Sequence, residues 1–256
     1  MSDKDFFKVI RHFSETICPL IVPVDWNSKM LISIKNLKVE YRIGAETLTV
    51  LDVPDWKVDE HEQLAISGPS GSGKSTLLNV IAGLLPATSG SINVCGCELS
   101  KMGETERDHF RAANIAYIFQ TFNLLQGYTA LENVLLGATF SPGKPDRGYA
   151  KELLAQVGLG KRLKHYPSEM SIGEQQRVAI ARALVKKPKL ILADEPTGSL
   201  DPFHAGEVIR LLRDASREHG CALMTVSHEM GIVSGFEQRV DFLKLNRACA
   251  LPGGRL

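Results

Sequence analysis

Hydrophobic residues along the chain follow spacings that predict a mixed α/β fold. Between residues 31 and 51 they alternate with polar residues on either side of a turn at Gly44, which predicts antiparallel strands. Short, nearly continuous apolar runs at 64–66, 114–119, 190–193 and 222–226 are typical of strands buried in a parallel sheet. We therefore expect an antiparallel β subdomain, followed by a parallel sheet whose strands alternate with helices.

Helical spacing dominates the stretches between these runs. Helices are predicted at 76–82, 105–112, 130–136 and 151–157, with breaks at proline and glycine residues. The stretch from about 121 to 170 contains helices and loops without strand patterns, so we expect a helical insertion that separates two parts of the sheet. Residues 31–256 then form one domain with an inserted helical subdomain.

Residues 1–30 differ in pattern from the rest of the chain. Phe6, Ile10, Phe13 and Ile17 are spaced as one face of a short amphipathic helix, and an apolar segment at 19–23 follows. One interpretation is a helix that packs on the chain's own core. The other is docking onto a partner subunit or a membrane surface.

Composition limits the class of protein. The chain has 256 residues and a formal net charge of +1, so no global field indicates a nucleic-acid partner. No apolar run is long enough to cross a bilayer, and the acidic start is unlike a secretory signal, so we expect a cytoplasmic protein. The scattered cysteines favour reduced, structural thiols over a zinc site: Cys18, Cys95, Cys97, Cys221 and Cys249.

A phosphate-binding loop follows the apolar run at 64–66. The pattern G-x-x-x-x-G-K-[ST] is matched at each fixed position by Gly68, Pro69, Ser70, Gly71, Ser72, Gly73, Lys74 and Ser75, with Thr76 next. Glycines let backbone N–H groups turn towards phosphate oxygens, and the start of the next helix adds partial positive charge. Lys74 is expected to reach the β- and γ-phosphates, and Ser75 to bind Mg²⁺.

Polar side chains follow three of the buried runs. Gln120 ends the run at 114–119, Asp194 and Glu195 end the one at 190–193, and His228 follows the one at 222–226. Ligands of α/β sheets bind at the carboxyl ends of the strands. We therefore predict a site beside the phosphate loop, in which Asp194 faces Mg²⁺, Gln120 faces Mg²⁺ or the attacking water, and Glu195 acts as a base for water.

A second motif begins another predicted helix at 170–184. Ser171 and Glu174 form a capping-box pattern, and Lys186, Lys187 and Pro188 mark the end of the helix. Capping alone explains Ser171, so a ligand role stays open at this point. Asp201 and Pro202 have the pattern of an N-cap and first-turn proline of a further helix.

The ordered set of motifs resembles the nucleotide-binding subunits of ATP-binding cassette (ABC) transporters, over about residues 31–240. The resemblance implies a P-loop ATPase that uses ATP and Mg²⁺, dimerises head to tail around two ATP molecules, and drives an integral membrane permease from the inner face of the cell membrane. It also implies roles within one subunit: Tyr41 stacks on adenine, Gln120 couples to the permease, and His228 contacts the γ-phosphate. Across the dimer, it implies that Ser171 and Gly173 contact the γ-phosphate held by the other subunit. Asp201 would lie at the dimer interface.

Segments 119–134 and 193–198 resemble the branch that serves lipoprotein release, macrolide-type efflux and cell division. The second motif departs from the usual L-S-G-G-Q at Met170, Ile172 and Glu174. Ile172 places a β-branched side chain where glycine permits close approach, which implies slowed or partner-dependent hydrolysis. Two alternatives are a regulatory nucleotide-binding subunit and a soluble ABC-type protein of DNA repair or assembly, for which the sequence has neither a long coiled coil nor a basic stripe.

Overall fold

A computed structural model describes residues 30–44, 46–139, 145–198 and 202–250. Two compact units make up this part of the chain: one contains residues 30–120 and 189–250, and the other contains residues 121–188. The predicted amphipathic helix near the N-terminus and the predicted N-cap Asp201 lie outside the described residues.

The strands form two sheets within the first unit. In chain order they are β1 (Met30–Ile43), β2 (Glu46–Asp59), β3 (Gln63–Ser67), β4 (Ser89–Val94), β5 (Cys97–Glu98), β6 (Ile115–Ile118), β7 (Leu190–Asp194), β8 (Ala222–Val226) and β9 (Gln238–Asp241). One sheet has the order β2-β1-β4-β5 with antiparallel pairs. The other has the order β6-β7-β8-β3-β9 with parallel pairs. The predicted α/β fold with an antiparallel subdomain is confirmed.

The helices of the described residues are α1 (Lys74–Ile81), α2 (Glu104–Asn114), α3 (Ala130–Gly137), α4 (Arg147–Gln156), α5 (Ile172–Leu184), α6 (Pro202–Glu218), α7 (Met230–Val233) and α8 (Phe242–Leu245). Single 3₁₀ turns lie at Leu99–Lys101, Pro167–Glu169 and Arg247–Ala250. Helix α4 begins earlier than its apolar pattern predicts because the Asp146 side chain accepts hydrogen bonds from the backbone N–H groups of Gly148 and Tyr149.

The core of the first unit joins both sheets through helix α1. Its fully buried members include Ile32 and Leu51 of the antiparallel sheet, Ile66 and Leu192 of the parallel sheet, and Leu77 of α1. Because α1 is anchored in this core, the loop between β3 and α1 is held at both ends. The packing therefore fixes where the phosphate-binding sequence lies.

The second unit is helical and contains α3, α4 and α5. Helices α3 and α5 approach so closely that a Cβ atom at Gly137 would lie 2.2 Å from the carbonyl oxygen of Arg182. Asn133 on α3 is fully buried, and its Nδ2 donates to backbone carbonyls of the preceding loop, among them Leu125. This unit carries the whole of α5.

Candidate functional site

The polar residues predicted at strand ends lie at neighbouring positions of the parallel sheet. Strands β6, β7, β8 and β3 are adjacent in that order, and they run in the same direction. Their carboxyl ends lead to Gln120, to Asp194 and Glu195, to His228, and to the loop at 68–73. The fold therefore brings one polar segment from each of four strands to one edge of the sheet.

The loop between β3 and α1 has the backbone shape that its glycines allow. Gly71 and Gly73 have φ angles of 78° and 102°, in the region that favours glycine. A Cβ atom at Gly73 would lie 3.0 Å from the carbonyl oxygen of Val50 on β2, so the loop backbone passes directly against that strand. Any larger residue at position 73 would be strained in conformation and crowded in space.

Lys74 is the first residue of α1 and its side chain is buried. Its Nζ donates hydrogen bonds to the carbonyl oxygens of Gly68 and Pro69, at 2.9 and 2.7 Å. Burial lowers the pKa of Lys74, while the nearby carboxylates of Glu195 and Asp194 act in the opposite direction. The ammonium group thus lies inside the phosphate loop, close to both acidic residues.

Asp194 ends β7 beside the start of α1. Its Oδ1 accepts a hydrogen bond from Ser75 Oγ at 3.1 Å, and its Oδ2 accepts one from Tyr117 Oη at 3.4 Å. Tyr117 Oη is also 3.1 Å from Asn79 Oδ1. Burial raises the pKa of Asp194, and the hydrogen bonds from Ser75 and Tyr117 oppose that shift. A carboxylate is held here despite its burial, which is typical of a functional group.

The donor set around Asp194 fits Mg²⁺. Ser75 Oγ and Asp194 Oδ1 are both oxygen donors, and Mg²⁺ in phosphate sites uses one or two protein oxygens together with phosphates and waters. Within residues 30–44, 46–139, 145–198 and 202–250, no group of three or more His, Cys, Asp and Glu side chains could hold a metal ion by itself.

Glu195 has an unusual backbone conformation and an unpaired oxygen. Its φ angle is 46°, its N–H donates to the Val226 carbonyl at 3.0 Å, and its Oε1 is 2.9 Å from His228 Nδ1. Since an ionised carboxylate only accepts, His228 Nδ1 carries the proton of this bond. Within the described part of the chain, Glu195 Oε2 is buried and has no hydrogen-bond partner. An unpaired buried acceptor at this position is suited to a water molecule, which can donate a hydrogen bond to it.

Gln120 and Tyr41 are both exposed, at different places on the first unit. A Cβ atom at Gly198 would lie 2.9 Å from Gln120 Nε2, so this side chain lies over the segment that follows Glu195. Tyr41 is 43% exposed on β1, where it pairs with Leu48. Both side chains are free to meet a ligand, and their predicted roles stay predictions.

Ser171 and Gly173 belong to the helical unit. Ser171 Oγ accepts from the Glu174 backbone N–H at 3.2 Å, and Glu174 Oε2 accepts from the Ser171 N–H at 2.9 Å. The predicted capping box is therefore formed at the start of α5. Ile172 follows with 54% of its surface exposed, so its side chain projects beside the two predicted contact residues.

Two residues of the site were not found by sequence reasoning. Tyr117 is the one residue of β6 with a hydroxyl group, and that hydroxyl group could have marked it as a residue of the site. Asn246 lies in the C-terminal segment, where its Nδ2 donates to the Ser72 carbonyl of the phosphate loop at 3.2 Å. Nothing near Asn246 in the sequence marks it, because its partners are far away along the chain.

The match to a known family decides what this arrangement is. The family model described as "ABC transporter" matches residues 51–198, more than half of the chain. The chain belongs to the ABC transporter family. The prediction of an ABC-type, ATP-binding and ATP-hydrolysing subunit is confirmed, and the phosphate loop, Asp194 and Glu195 all lie within the matched residues.

Curated relatives of this ABC protein include two ATP-binding proteins named LolD, of lipoprotein-releasing systems. The one from Pseudomonas syringae pv. tomato is 42% identical, over 90% of this chain and 98% of its own length. The one from Chromohalobacter salexigens is 39% identical, over 83% and 90%. The macrolide export ATP-binding/permease protein MacB from Rhodopirellula baltica is 42% identical over 78% of this chain. The aligned region covers 30% of the MacB length.

Solved structures agree with this membership. The ATP-binding cassette MJ0796, in a dimeric post-hydrolysis state bound to ADP and Pi, superposes with a TM-score of 0.73 and 34% identity, over 82% of this chain and 94% of that one. Another dimeric MJ0796 structure gives a TM-score of 0.73 with 35% identity, over the same shares of the two chains. Throughout the described residues, each helix of this ABC protein lacks the length or apolar character needed to span a bilayer.

Proposed function

We propose that this ABC ATPase hydrolyses Mg²⁺-bound ATP at the interface of a head-to-tail homodimer and drives a separate membrane permease. The observation that carries the proposal is the adjacency of Lys74, Ser75, Asp194, Glu195 and His228 at one edge of the parallel sheet. Phosphoryl transfer depends on positioning and charge stabilisation, and this edge supplies both.

The phosphate loop binds the nucleotide in this proposal. Backbone N–H groups around Gly71 and Gly73, together with the N-terminus of α1, face the phosphates. Lys74 exchanges its hydrogen bonds to Gly68 and Pro69 for bonds to the β- and γ-phosphates. Ser75 and Asp194 hold Mg²⁺, which neutralises charge on the phosphates when it is bound. Tyr41 stacks on the adenine ring.

Water attack is assigned to Glu195. Its Oε1 is engaged by His228 Nδ1, which leaves the unpaired Oε2 as the atom that accepts a hydrogen bond and then a proton from water. His228 Nδ1 is engaged by Glu195, so Nε2 is the ring nitrogen left to face the γ-phosphate. Gln120 contributes to the same edge and transmits the state of the nucleotide to the permease.

The second copy completes the site in this proposal. Ser171 and Gly173 of one subunit contact the γ-phosphate held by Lys74 of the other, and Asp201 lies at the dimer interface. The capped start of α5 supports this role because a helix N-terminus attracts anions. The MJ0796 structures are dimeric and one of them is bound to ADP and Pi, which supports a dimer that binds nucleotide.

The class of transporter is inferred from the relatives. Similarity over 98% of a LolD chain supports a LolD-type subunit, for which we propose a permease partner. The proposed cargo class is accordingly a lipoprotein or an amphiphilic efflux substrate. The subunit is proposed to bind peripherally at the cytoplasmic face of the membrane that holds the permease.

The test is steady-state ATP hydrolysis by the purified chain with Mg²⁺, compared with a Glu195→Gln variant. Removing the proton acceptor should lower turnover at least about a hundredfold. ATP binding should remain, because Lys74 and the loop are intact. Hydrolysis by the variant at the parent rate would refute the role of Glu195.

An ATPase whose hydrolysis is restrained by Ile172, and which therefore acts as a regulatory subunit, is a second candidate function, since Ile172 is exposed next to Ser171. An Ile172→Gly variant, measured in the same assay, separates the two functions. Equal turnover in the parent and this variant supports an active ATPase. An inactive parent whose activity appears only in Ile172→Gly would favour the regulatory function.

A further inference from the structure

Asn246 has a fully buried side chain whose amide makes its full set of hydrogen bonds. Its Oδ1 accepts from the backbone N–H groups of Asp52, at 2.8 Å, and Ala248, at 3.2 Å. Its Nδ2 donates to the carbonyl oxygens of Val50, at 2.9 Å, and Ser72, at 3.2 Å. An amide has two donor hydrogens and can accept twice, so this environment specifies asparagine in one orientation.

These four bonds join segments that are remote in sequence. Asp52 and Val50 lie on β2, Ser72 lies in the phosphate loop, and Ala248 lies in the turn after α8. In the register of β1 and β2, Val39 pairs with Leu51 and Glu40 with Thr49, so Val50 is the extra residue of a bulge. Asn246 Nδ2 donates to the carbonyl of this bulge residue.

The bond to Ser72 fixes the orientation of a peptide group in the phosphate loop. In a planar trans peptide the C=O and the following N–H point in opposite directions. Because the Ser72 carbonyl points to buried Asn246, the Gly73 N–H points away from it. The φ of 102° at Gly73 and its close approach to Val50 leave this peptide little other freedom.

We propose that Asn246 is a positioning residue for nucleotide binding, which holds the Ser72–Gly73 peptide so that the Gly73 N–H faces the phosphates. Asn246 acts through the loop and does not touch the ligand. The inference rests on nucleotide binding at residues 68–76 and is independent of the permease and the cargo. It makes the C-terminal segment a part of the ATP site.

The test compares ADP affinity, by titration calorimetry, for the parent chain and two variants. Asn246→Ala removes these four bonds and the 3.4 Å contact of Nδ2 with Cys249 Sγ, and Asn246→Asp keeps the size but replaces a donor with an oxygen that faces two carbonyls. We expect the dissociation constant for ADP to rise about tenfold for Asn246→Ala and further for Asn246→Asp. Affinities within about twofold of the parent, in folded variants, would overturn the inference.

Asn133 offers a matched control in the other compact unit. Its side chain is also fully buried; its Nδ2 donates to three backbone carbonyls, and its Oδ1 accepts from the Leu125 N–H. Asn133→Ala should lower the free energy of unfolding as Asn246→Ala does, yet leave ADP affinity unchanged. An equal loss of ADP affinity in both variants would mean a general effect of instability and would contradict positioning.

A measurement on the parent chain needs no substitution. Hydrogen exchange of the Asp52 and Ala248 amides, which donate to Asn246, should slow several-fold when ADP binds, while the Leu125 amide bonded to Asn133 should change less. Equal slowing of exchange at all three amides would contradict a link between Asn246 and the nucleotide site. Absence of ADP binding to the parent would instead refute the nucleotide site, so the two failures are distinct.

Discussion

Glu195 combines two features that raise the energy of the folded protein. Its left-handed backbone costs on the order of 1 kcal/mol for a residue other than glycine, and its buried Oε2 has no hydrogen-bond partner among the described residues. The hydrogen bonds from the Glu195 N–H to Val226 and from His228 to Oε1 hold the residue in place. Strain of this kind is typical of a site whose missing partner is its ligand.

Ser75 gives a test of metal binding at the scale of one residue. Ser75→Ala removes the hydroxyl oxygen that lies 3.1 Å from Asp194 Oδ1. We expect the gain in ATP affinity that Mg²⁺ gives to be about tenfold smaller in this variant than in the parent. Hydrolysis by the variant should also need a higher Mg²⁺ concentration. The measurement is the dissociation constant for ATP with Mg²⁺ and with a chelator.

Ser234→Ala is the matched control for the metal test. Ser234 is exposed and donates to the Gly231 carbonyl, away from the strand ends that carry the site. Its removal should leave the effect of Mg²⁺ as in the parent. If Ser75→Ala also kept the full effect, Ser75 would not be a ligand of the ion.

At the scale of an element, the capping box of helix α5 stabilises the helix start and is compatible with the proposed ligand role. The reciprocal bonds of Ser171 and Glu174 satisfy two N–H groups of the first turn. Arg162 Nε lies 3.1 Å from Glu174 Oε1 and ties the helix start to the preceding loop. The remaining N–H groups of the turn stay available for an anion, so capping and ligand binding do not compete.

Glu174 predicts a pH dependence of stability. The hydrogen bond from the Ser171 N–H is the main cause that lowers the pKa of Glu174, and Arg162 adds to it. A lowered folded pKa means that the stabilisation is complete above the ordinary pKa of glutamate, about 4.3, and is lost as pH falls through the folded value. Relative to Glu174→Gln, the parent should lose unfolding free energy in that acidic window.

The measurement is urea unfolding of the parent and of Glu174→Gln at several pH values between neutral and acidic. The difference between the two proteins should be largest near neutral pH and should vanish at the acidic end. A difference that stays constant across this range would show that the charge of Glu174 does not contribute.

At the scale of the whole molecule, the proposal completes each ATP site with residues from a second copy. The phosphate loop, Asp194 and Glu195 belong to one compact unit, and Ser171 and Gly173 belong to the other. The proposal assigns the two sets to opposite faces of each ATP in a dimer. Binding of ATP should therefore cause association, and hydrolysis should reverse it.

Light scattering of Glu195→Gln with ATP and Mg²⁺ tests this association. Because the variant binds ATP but does not consume it, its mass should rise from 28.1 kDa to about twice that value. A Lys74→Ala control, which lacks the phosphate-binding ammonium, should stay at the mass of one copy. A Glu195→Gln variant that remains monomeric at saturating ATP would contradict the head-to-tail dimer.

Most of the architecture and much of the proposed site could be read from the sequence. The phosphate loop is contiguous, so its glycines, Lys74 and Ser75 encode it locally. The capping box at Ser171 is equally local, and the apolar runs identified the strands that end in Gln120, Asp194 and His228. Such features depend on residues a few positions apart, for which spacing is a sufficient signal.

The tertiary structure alone decided the order β6-β7-β8-β3-β9, which makes those strand ends neighbours. It also decided that His228 Nδ1 meets Glu195 Oε1, that Tyr117 meets Asp194, and that Asn246 holds Ser72. These contacts join residues separated by 33, 77 and 174 positions. No local pattern encodes such pairs, because only the packing of the sheets and the C-terminal segment brings them together.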